Sequence, residues 1–300
     1  MARVLCVGIS TLDTVYAVPA MPTRAEKYRA TGVAVVGGGI AANAAVAVAR
    51  LDGQALLATR LGEDRVAEAI AEELAAEGVD CALAHRFPGR RSPTSTMLVD
   101  AQGERLIVSY SDPEMPDAPD WLPQALPAGT GAVLGDTRWE TGAAHLFRLA
   151  RAAGVPAVLD GDRKPAHPDA LRLATHVAFS AQGLSESTGL DDLAAALAAC
   201  GREAGNWAAV TMGEEGTFFL EDGAVVHEPA FPVRTIDTLG AGDVWHGAFA
   251  LALAEGRSER DAVRFASAAA AIKCTRFGGR AGAPTRAEVE DFLAGRSAAT

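Results

Sequence analysis

Residues 235–243 read Thr-Ile-Asp-Thr-Leu-Gly-Ala-Gly-Asp and run directly into the apolar stretch Val244-Trp-His-Gly-Ala-Phe-Ala-Leu-Ala-Leu253. Small residues just before a helix leave its first N–H groups uncovered, and the helix dipole favours an anion there. Asp243 stands at the helix start, and two readings are open. Asp is a favoured N-cap. A carboxylate beside an anion hole is also what phosphoryl transfer to an alcohol needs, one group taking the hydroxyl proton while backbone donors hold the phosphoryl oxygens.

A second glycine cluster, Val35-Val-Gly-Gly-Gly-Ile-Ala-Ala-Asn43, also passes from a strand into a helix. Gly37, Gly39 and Ala42 satisfy a GxGxxA spacing, so a dinucleotide site has to be weighed. Such a site wants an acid about 20 residues on, at the end of the next strand. That strand ends at Arg60-Leu-Gly-Glu63, with a basic residue first, and the motif follows the second strand region rather than the first. The other readings are a turn cluster and a place where bare backbone lets a ligand approach.

The elements that must position these motifs alternate between short β-type runs and longer helical ones. Strands are expected at 3–9, 54–60, 131–135, 156–160, 175–179, 207–212 and 216–220. Helices are expected at 41–51, 64–77, 140–153, 191–203, 243–255, 258–274 and 286–294. That alternation argues an α/β fold with a mostly parallel central sheet and helices on both faces. Two stretches break it: strand-like 14–18 and 28–36 around a Pro-containing loop, and 94–110, a hairpin pattern with Gly103 in its turn. They imply a small β-sheet lid on one body, joined to it by the Pro-rich stretch 113–127.

Composition narrows the function classes. The 300 residues carry a formal net charge of −11, which argues against general nucleic-acid binding, since that needs clustered Lys and Arg. Anionic small molecules would have to be met by local donors. Cys6, Cys81, Cys200 and Cys274 form no CxxC pair, and the six histidines show no HExxH spacing, so neither a zinc ribbon nor a disulfide framework is indicated. No run of 18 apolar residues occurs, and the start Arg3–Ile9 is too short for a signal segment. A cytoplasmic protein with no membrane partner is the expectation.

Asp237-Thr-Leu-Gly-Ala-Gly-Asp243 resembles the second signature of the ribokinase-like PfkB (phosphofructokinase-B) carbohydrate kinase family. Gly38-Gly-Ile-Ala-Ala-Asn43, followed by Gly62-Glu-Asp64, resembles the first. Asp13, Asp160-Gly-Asp-Arg163 and Thr211-Met-Gly-Glu-Glu-Gly216 also fall in the family's order, so the similarity spans residues 1–300 as one kinase domain with lid segments at about 14–36 and 92–112. The resemblance implies an ATP-dependent sugar kinase with ATP and Mg²⁺. It makes Asp243 the base and the amides of Gly240, Ala241, Gly242 and Asp243 the anion hole. It assigns Asp13, Gly38, Gly39 and Asn43 to the sugar, and Thr211, Gly213 and Gly216 to the nucleotide. Asp237 takes the place where some members bind a monovalent cation such as K⁺, and the family's lids imply a homodimer.

Within the family the similarity is to the type that phosphorylates 6-deoxy-6-sulfofructose, through Glu26-Lys-Tyr28, Asp136-Thr-Arg-Trp139 and Lys273-Cys-Thr-Arg-Phe-Gly-Gly-Arg-Ala-Gly282. Lys27, one of only three lysines, and Arg138 match that type's sulfonate contacts. Three positions depart from the patterns. Ser109 stands where an Asn would complete the anion site, Ala67 replaces a glycine, and Ser180-Ala-Gln-Gly183 replaces an Asn-x-x-Glu used around the metal. Kinases of fructose, fructose 6-phosphate, ribose or 2-keto-3-deoxygluconate, and a non-catalytic sensing relative, are the alternatives.

Overall fold

Val4-Leu5-Cys6-Val7 is apolar without interruption, the pattern of a strand covered on both faces. The structure, a computed structural model, describes residues 1–204 and 206–297 and bears this out. Val4 and Cys6 pack into one hydrophobic core, Leu5 and Val7 into a second on the opposite face. This strand, β1 (Arg3–Gly8), lies within a nine-stranded sheet.

Chain order is β1, β2 (Thr11–Ala17), β3 (Gly32–Gly38), α1 (Ile40–Arg50), β4 (Gln54–Gly62), α2 (Arg65–Ala76), β5 (Asp80–Phe87), β6 (Thr94–Val99) and β7 (Arg105–Tyr110). Then follow β8 (Thr130–Gly135), α3 (Glu140–Ala153), β9 (Ala157–Gly161), α4 (Pro168–Leu173), β10 (His176–Ser180), α5 (Ala181–Thr188), α6 (Leu193–Ala204) and β11 (Trp207–Thr211). The chain closes with β12 (Thr217–Glu221), β13 (Ala224–Glu228), α7 (Ala241–Ala254), α8 (Glu259–Cys274) and α9 (Arg286–Ser297).

The large sheet runs β13-β12-β11-β10-β9-β8-β1-β4-β5, parallel from β11 to β5, with β12 and β13 antiparallel at one edge. Helices α1, α7 and α8 fill one core and α3 the other. All ten residues Val244–Leu253 are buried, so α7 is apolar all round, as a helix wedged between α1, α8 and the sheet must be. All seven strands and seven helices expected from the alternation form. Two strands were not anticipated: β5 is half-exposed along its length and β13 is a five-residue edge strand. The short helices α4 and α5 were also missed.

The small sheet is β3-β2-β6-β7. Its register sets Val36, Asp13, Ser95 and Ser109 in one cross-strand row and Ala34, Val15, Met97 and Ile107 in the next. Met97 on this face is buried, and Arg105, on the same face, reaches Asp237 of the large body. This face therefore turns toward the body. The opposite face carries Val33, Val35, Leu106, Val108 and Tyr110, all exposed.

Candidate functional site

Strand order reverses at the β1/β8 boundary: from β1 the chain moves outward through β4 and β5, then returns to β8 and builds the other way. In parallel α/β sheets the crevice at such a switch point, outside the carboxyl ends of the strands, is where ligands bind. Here Asp136 follows β8. Its Oδ2 accepts from the Ile9 amide at 2.8 Å and the Ala41 amide at 3.2 Å, and its Oδ1 from the Arg138 amide at 2.8 Å. One buried carboxylate thus joins the end of β1, the start of α1 and the loop after β8, and burial raises its pKa despite these donors.

The glycine cluster at 37–39 leaves the small sheet's edge strand β3 and enters α1, so it does not have the parallel β-strand context a dinucleotide fingerprint requires. Gly39 has φ +93°, and a Cβ there would lie 2.5 Å from the Ile9 carbonyl. Gly38 is bare for another reason, since its Cβ would meet Asp13 Oδ2 at 2.0 Å. Asp13 Oδ1 accepts from Thr11 Oγ1 at 2.8 Å and Ser95 Oγ at 2.7 Å. Ser109 lies directly across from Ser95 on β7 and is exposed.

At the far side of this crevice α7 begins. Gly240, with φ +75°, precedes its first turn, and the Val244 amide closes on the Gly240 carbonyl at 3.0 Å. The Ala241 amide turns onto the Thr238 carbonyl at 3.1 Å, which corrects the expectation that it is a free anion donor. Among the described residues the Gly242 and Asp243 amides have no backbone acceptor. Asn43 Nδ2 donates to Asp243 Oδ2 at 2.6 Å, joining the two sequence motifs 200 residues apart. Burial pushes the Asp243 carboxyl up to about 7, with the Asp160 carboxylate adding to the shift and the Asn43 hydrogen bond opposing it.

Beneath Asp243 sits a pair that sequence reasoning passed over. His246, one turn further along α7, places Nε2 3.0 Å from the Ala178 carbonyl and Nδ1 2.8 Å from the Gly242 carbonyl and 3.0 Å from Asp160 Oδ2. Burial lowers the His246 pKa, and burial with the neighbouring Asp162 and Asp136 charges raises Asp160 well above the carboxylate range. The two groups face each other at hydrogen-bond distance, Nδ1 to Asp160 Oδ2, directly below the start of α7. The pair's signal in the sequence was an Asp at the end of an apolar strand, repeated at Asp136 and Asp160.

The two cations expected to meet a sugar anion are not in contact. Arg138 is gripped by Asp162 through Nη2 and Nη1, and its Nη1 also donates to Thr137 Oγ1 at 2.7 Å. Lys27 lies exposed on the loop between β2 and β3, with no hydrogen bond or ion pair to the described residues. On the expected nucleotide side, Thr211 ends β11, and residues 213–215 form a single 3₁₀ turn closed by Gly216. Gly183 stands where the metal-organising Glu of other members would be. A Cβ there would lie 1.9 Å from the Gly161 carbonyl, so no side chain fits. The described residues contain no cluster of three or more His, Cys, Asp or Glu able to hold a metal. A Mg²⁺ ion here would take its ligands from nucleotide phosphates and water.

Asp237, at the head of the loop leading to α7, is saturated. Oδ1 accepts from the Leu239 amide at 2.9 Å and Arg105 Nη2 at 2.7 Å. Oδ2 accepts from the Gly278 and Gly279 amides at 3.1 and 3.2 Å and lies 3.3 Å from Lys273 Nζ. Burial would raise its pKa, but the backbone donors and the Lys273 charge outweigh that and lower it. A carboxylate offers about four lone-pair positions, and all are taken. The residues at Asp237 therefore do not fit a monovalent cation. Arg280, buried against Gly37 and 3.0 Å from Glu73, fastens the same 276–282 loop to the base of β3.

A two-core α/β body with a switch-point crevice, and a small second sheet turned toward that body, is the architecture of an α/β enzyme of small ligands. The pfkB family carbohydrate kinase model matches residues 1–286, and the chain belongs to that family. It is an ATP-dependent sugar kinase with a ribokinase-like fold. The ribokinase of Bacillus subtilis is 29% identical over 298 residues, covering 98% of this chain and 100% of the relative. Among solved structures, a candidate ribokinase from Agrobacterium tumefaciens is 39% identical with a TM-score of 0.90, covering 98% of both chains. An Arabidopsis thaliana ribokinase complexed with ribose and ATP is 25% identical with a TM-score of 0.84, covering 98% of this chain and 99% of that one. No helix among the described residues is long and apolar enough to cross a membrane.

Proposed function

We propose that the kinase transfers the γ-phosphate of ATP to a primary hydroxyl of a small sugar held between Asp13 and Asp243. The observation that carries this is the Asn43–Asp243 hydrogen bond of 2.6 Å, which ties the sugar-side motif to the helix start. Asp243 takes the proton of the sugar hydroxyl as its oxygen bonds to the γ-phosphorus and the bond to ADP breaks. With a pKa of about 7, the carboxylate is poised for that exchange near neutral pH. The Gly242 and Asp243 amides stabilise the transferring phosphoryl oxygens, and the dipole of α7 adds to them. Asp13, steadied by Thr11 and Ser95, accepts sugar hydroxyls over the bare backbone of Gly38 and Gly39. Thr211, Gly213 and Gly216 line the nucleotide side, and Mg²⁺, when bound with the nucleotide, would supply neutralisation of the phosphate charge.

For the sugar itself we propose a ketose with an anionic end group, 6-deoxy-6-sulfofructose being the compound to test first. Arg138, at the body's strand ends and a quarter exposed, supports this reading, because a guanidinium has five N–H donors and Asp162 and Thr137 leave some of them free. Lys27 would join it by movement of the 18–31 loop. ATP turnover against sulfofructose, fructose 6-phosphate, fructose, ribose and 2-keto-3-deoxygluconate tests both levels. Turnover of a neutral sugar with none on sulfofructose removes the anionic substrate, and turnover of none removes the kinase assignment of these residues. The exposed outer face of the small sheet, with Val33, Val35 and Val108 each more than 60% exposed, supports a homodimer formed by two such faces.

A further inference from the structure

Lys273 is the most buried cation among the described residues: it lies in the last turn of α8, and its side chain has no exposed surface. A lysine is seldom placed there without a partner, since a buried ammonium is costly unless paired and hydrogen-bonded. Its Nζ donates to the Asp237 main-chain carbonyl at 2.7 Å and faces the Asp237 carboxylate at 3.3 Å. These are two oxygens of the residue that takes the place where some members of the family bind a monovalent cation. A further carbonyl nearby, that of Cys274, is already taken by the Ile236 and Asp237 amides at 2.7 and 3.2 Å. Arg105 brings a second positive charge to the same carboxylate from the small sheet. An added ion would find no free carboxylate oxygen and would sit beside an ammonium and a guanidinium.

We infer that the Lys273 ammonium is a covalently tethered replacement for the monovalent cation, so that K⁺ neither binds this loop nor activates the enzyme. Lys273 is a positioning residue. It acts through Asp237 on the 238–242 turn, whose amides lead into Asp243, and touches no substrate. Because the ion is part of the chain, the turn holds its shape at any external cation concentration.

The test uses the full chain in 100 mM KCl, or in tetramethylammonium chloride at the same ionic strength, and begins with thermal unfolding, a readout independent of catalysis. The wild-type midpoint is expected to differ by less than about 1 °C between the two salts, whereas Lys273→Ser, with the site opened, is expected to gain about 3 °C or more in KCl by ligand linkage. A wild-type gain of that size overturns the inference, as does a folded Lys273→Ser that ignores K⁺. Only the activity arm rests on the kinase reading above. With an accepted sugar, wild-type kcat should change less than about 2-fold between the salts. Lys273→Ser should lose about 10-fold or more in tetramethylammonium and regain most of it in K⁺ or NH₄⁺, through kcat rather than KM. If Lys273→Ser does not fold, Lys273→Gln replaces it, and if neither folds the wild-type comparison alone decides. Failure of every sugar to react would count against the kinase reading and leave the unfolding result standing.

Discussion

Asp237 and Asp243 close the two ends of one seven-residue segment, and their surroundings have opposite effects on the same side chain. Around Asp237 every carboxylate position meets an N–H or a cation, and the acid is held below its ordinary pKa. Around Asp243 there is one amide donor, the Asp160 carboxylate nearby and otherwise burial, and the acid rises to about 7. The first is built to stay charged and still, the second to exchange a proton. The contrast lies chiefly in how many donors each site provides, Asp237 being buried and Asp243 half-buried.

Asp237→Asn should have the largest effect. It leaves the Lys273 ammonium buried without a counter-charge, and breaking one side of such a pair costs about 3–5 kcal/mol. A denaturant midpoint showing less than about 1 kcal/mol would mean that the Asp237 network is incidental. Asp243→Asn should lower kcat by about 10²-fold or more, with ATP affinity little changed. The same variant should be more stable by about 1–2 kcal/mol at pH 8, because it removes a charge that burial disfavours. Near-normal turnover would remove Asp243 from its role.

The pH dependences should separate the two acids further. Asp243 has a folded pKa above its unfolded one, so its ionisation costs stability progressively as pH rises from the ordinary carboxylate range to about 7, with no further change above. Asp237 has a folded pKa below its unfolded one, so its contribution is complete above the ordinary range and is lost as pH falls through the folded value. In activity, kcat should therefore fall on the acid side with an apparent pKa near 7, and Asp243→Asn should abolish that limb. A smaller effect is expected from Gly38→Ala, whose methyl would displace the Asp13 carboxylate and raise the sugar KM by about 10-fold. The smallest is expected from Arg105→Gln. Its partly exposed pair with Asp237 should be worth less than about 1 kcal/mol, read from the denaturant midpoint.

The sequence made the large features legible because they are local. The 235–243 turn and its helix, the seven α/β strands and the 94–110 hairpin each follow from residues within one short window. What escaped is what depends on distant partners. Nothing in the spacing pairs Lys273 with Asp237, 36 residues away, or shows that Gly37 must be bare because the Arg280 guanidinium crosses it. His246 read as a lone histidine because Asp160 reaches it only through the sheet. The Ala241 amide looked available until the turn showed it folded back on Thr238. The Lys27–Arg138 pairing was a matter of type and order. In the structure Arg138 is held by Asp162, and Lys27 stays on an open loop.

Asp136 gathers the amides of Ile9 and Ala41 from 127 and 95 residues upstream. Contacts of such sequence separation must wait for long loops to close, which slows their formation. During synthesis the small sheet, α1 and β4 all leave the ribosome before residue 136 does. The crevice at the switch point is therefore assembled late, and a chain stalled short of β8 would hold the first half of a sugar site with nothing to draw it shut.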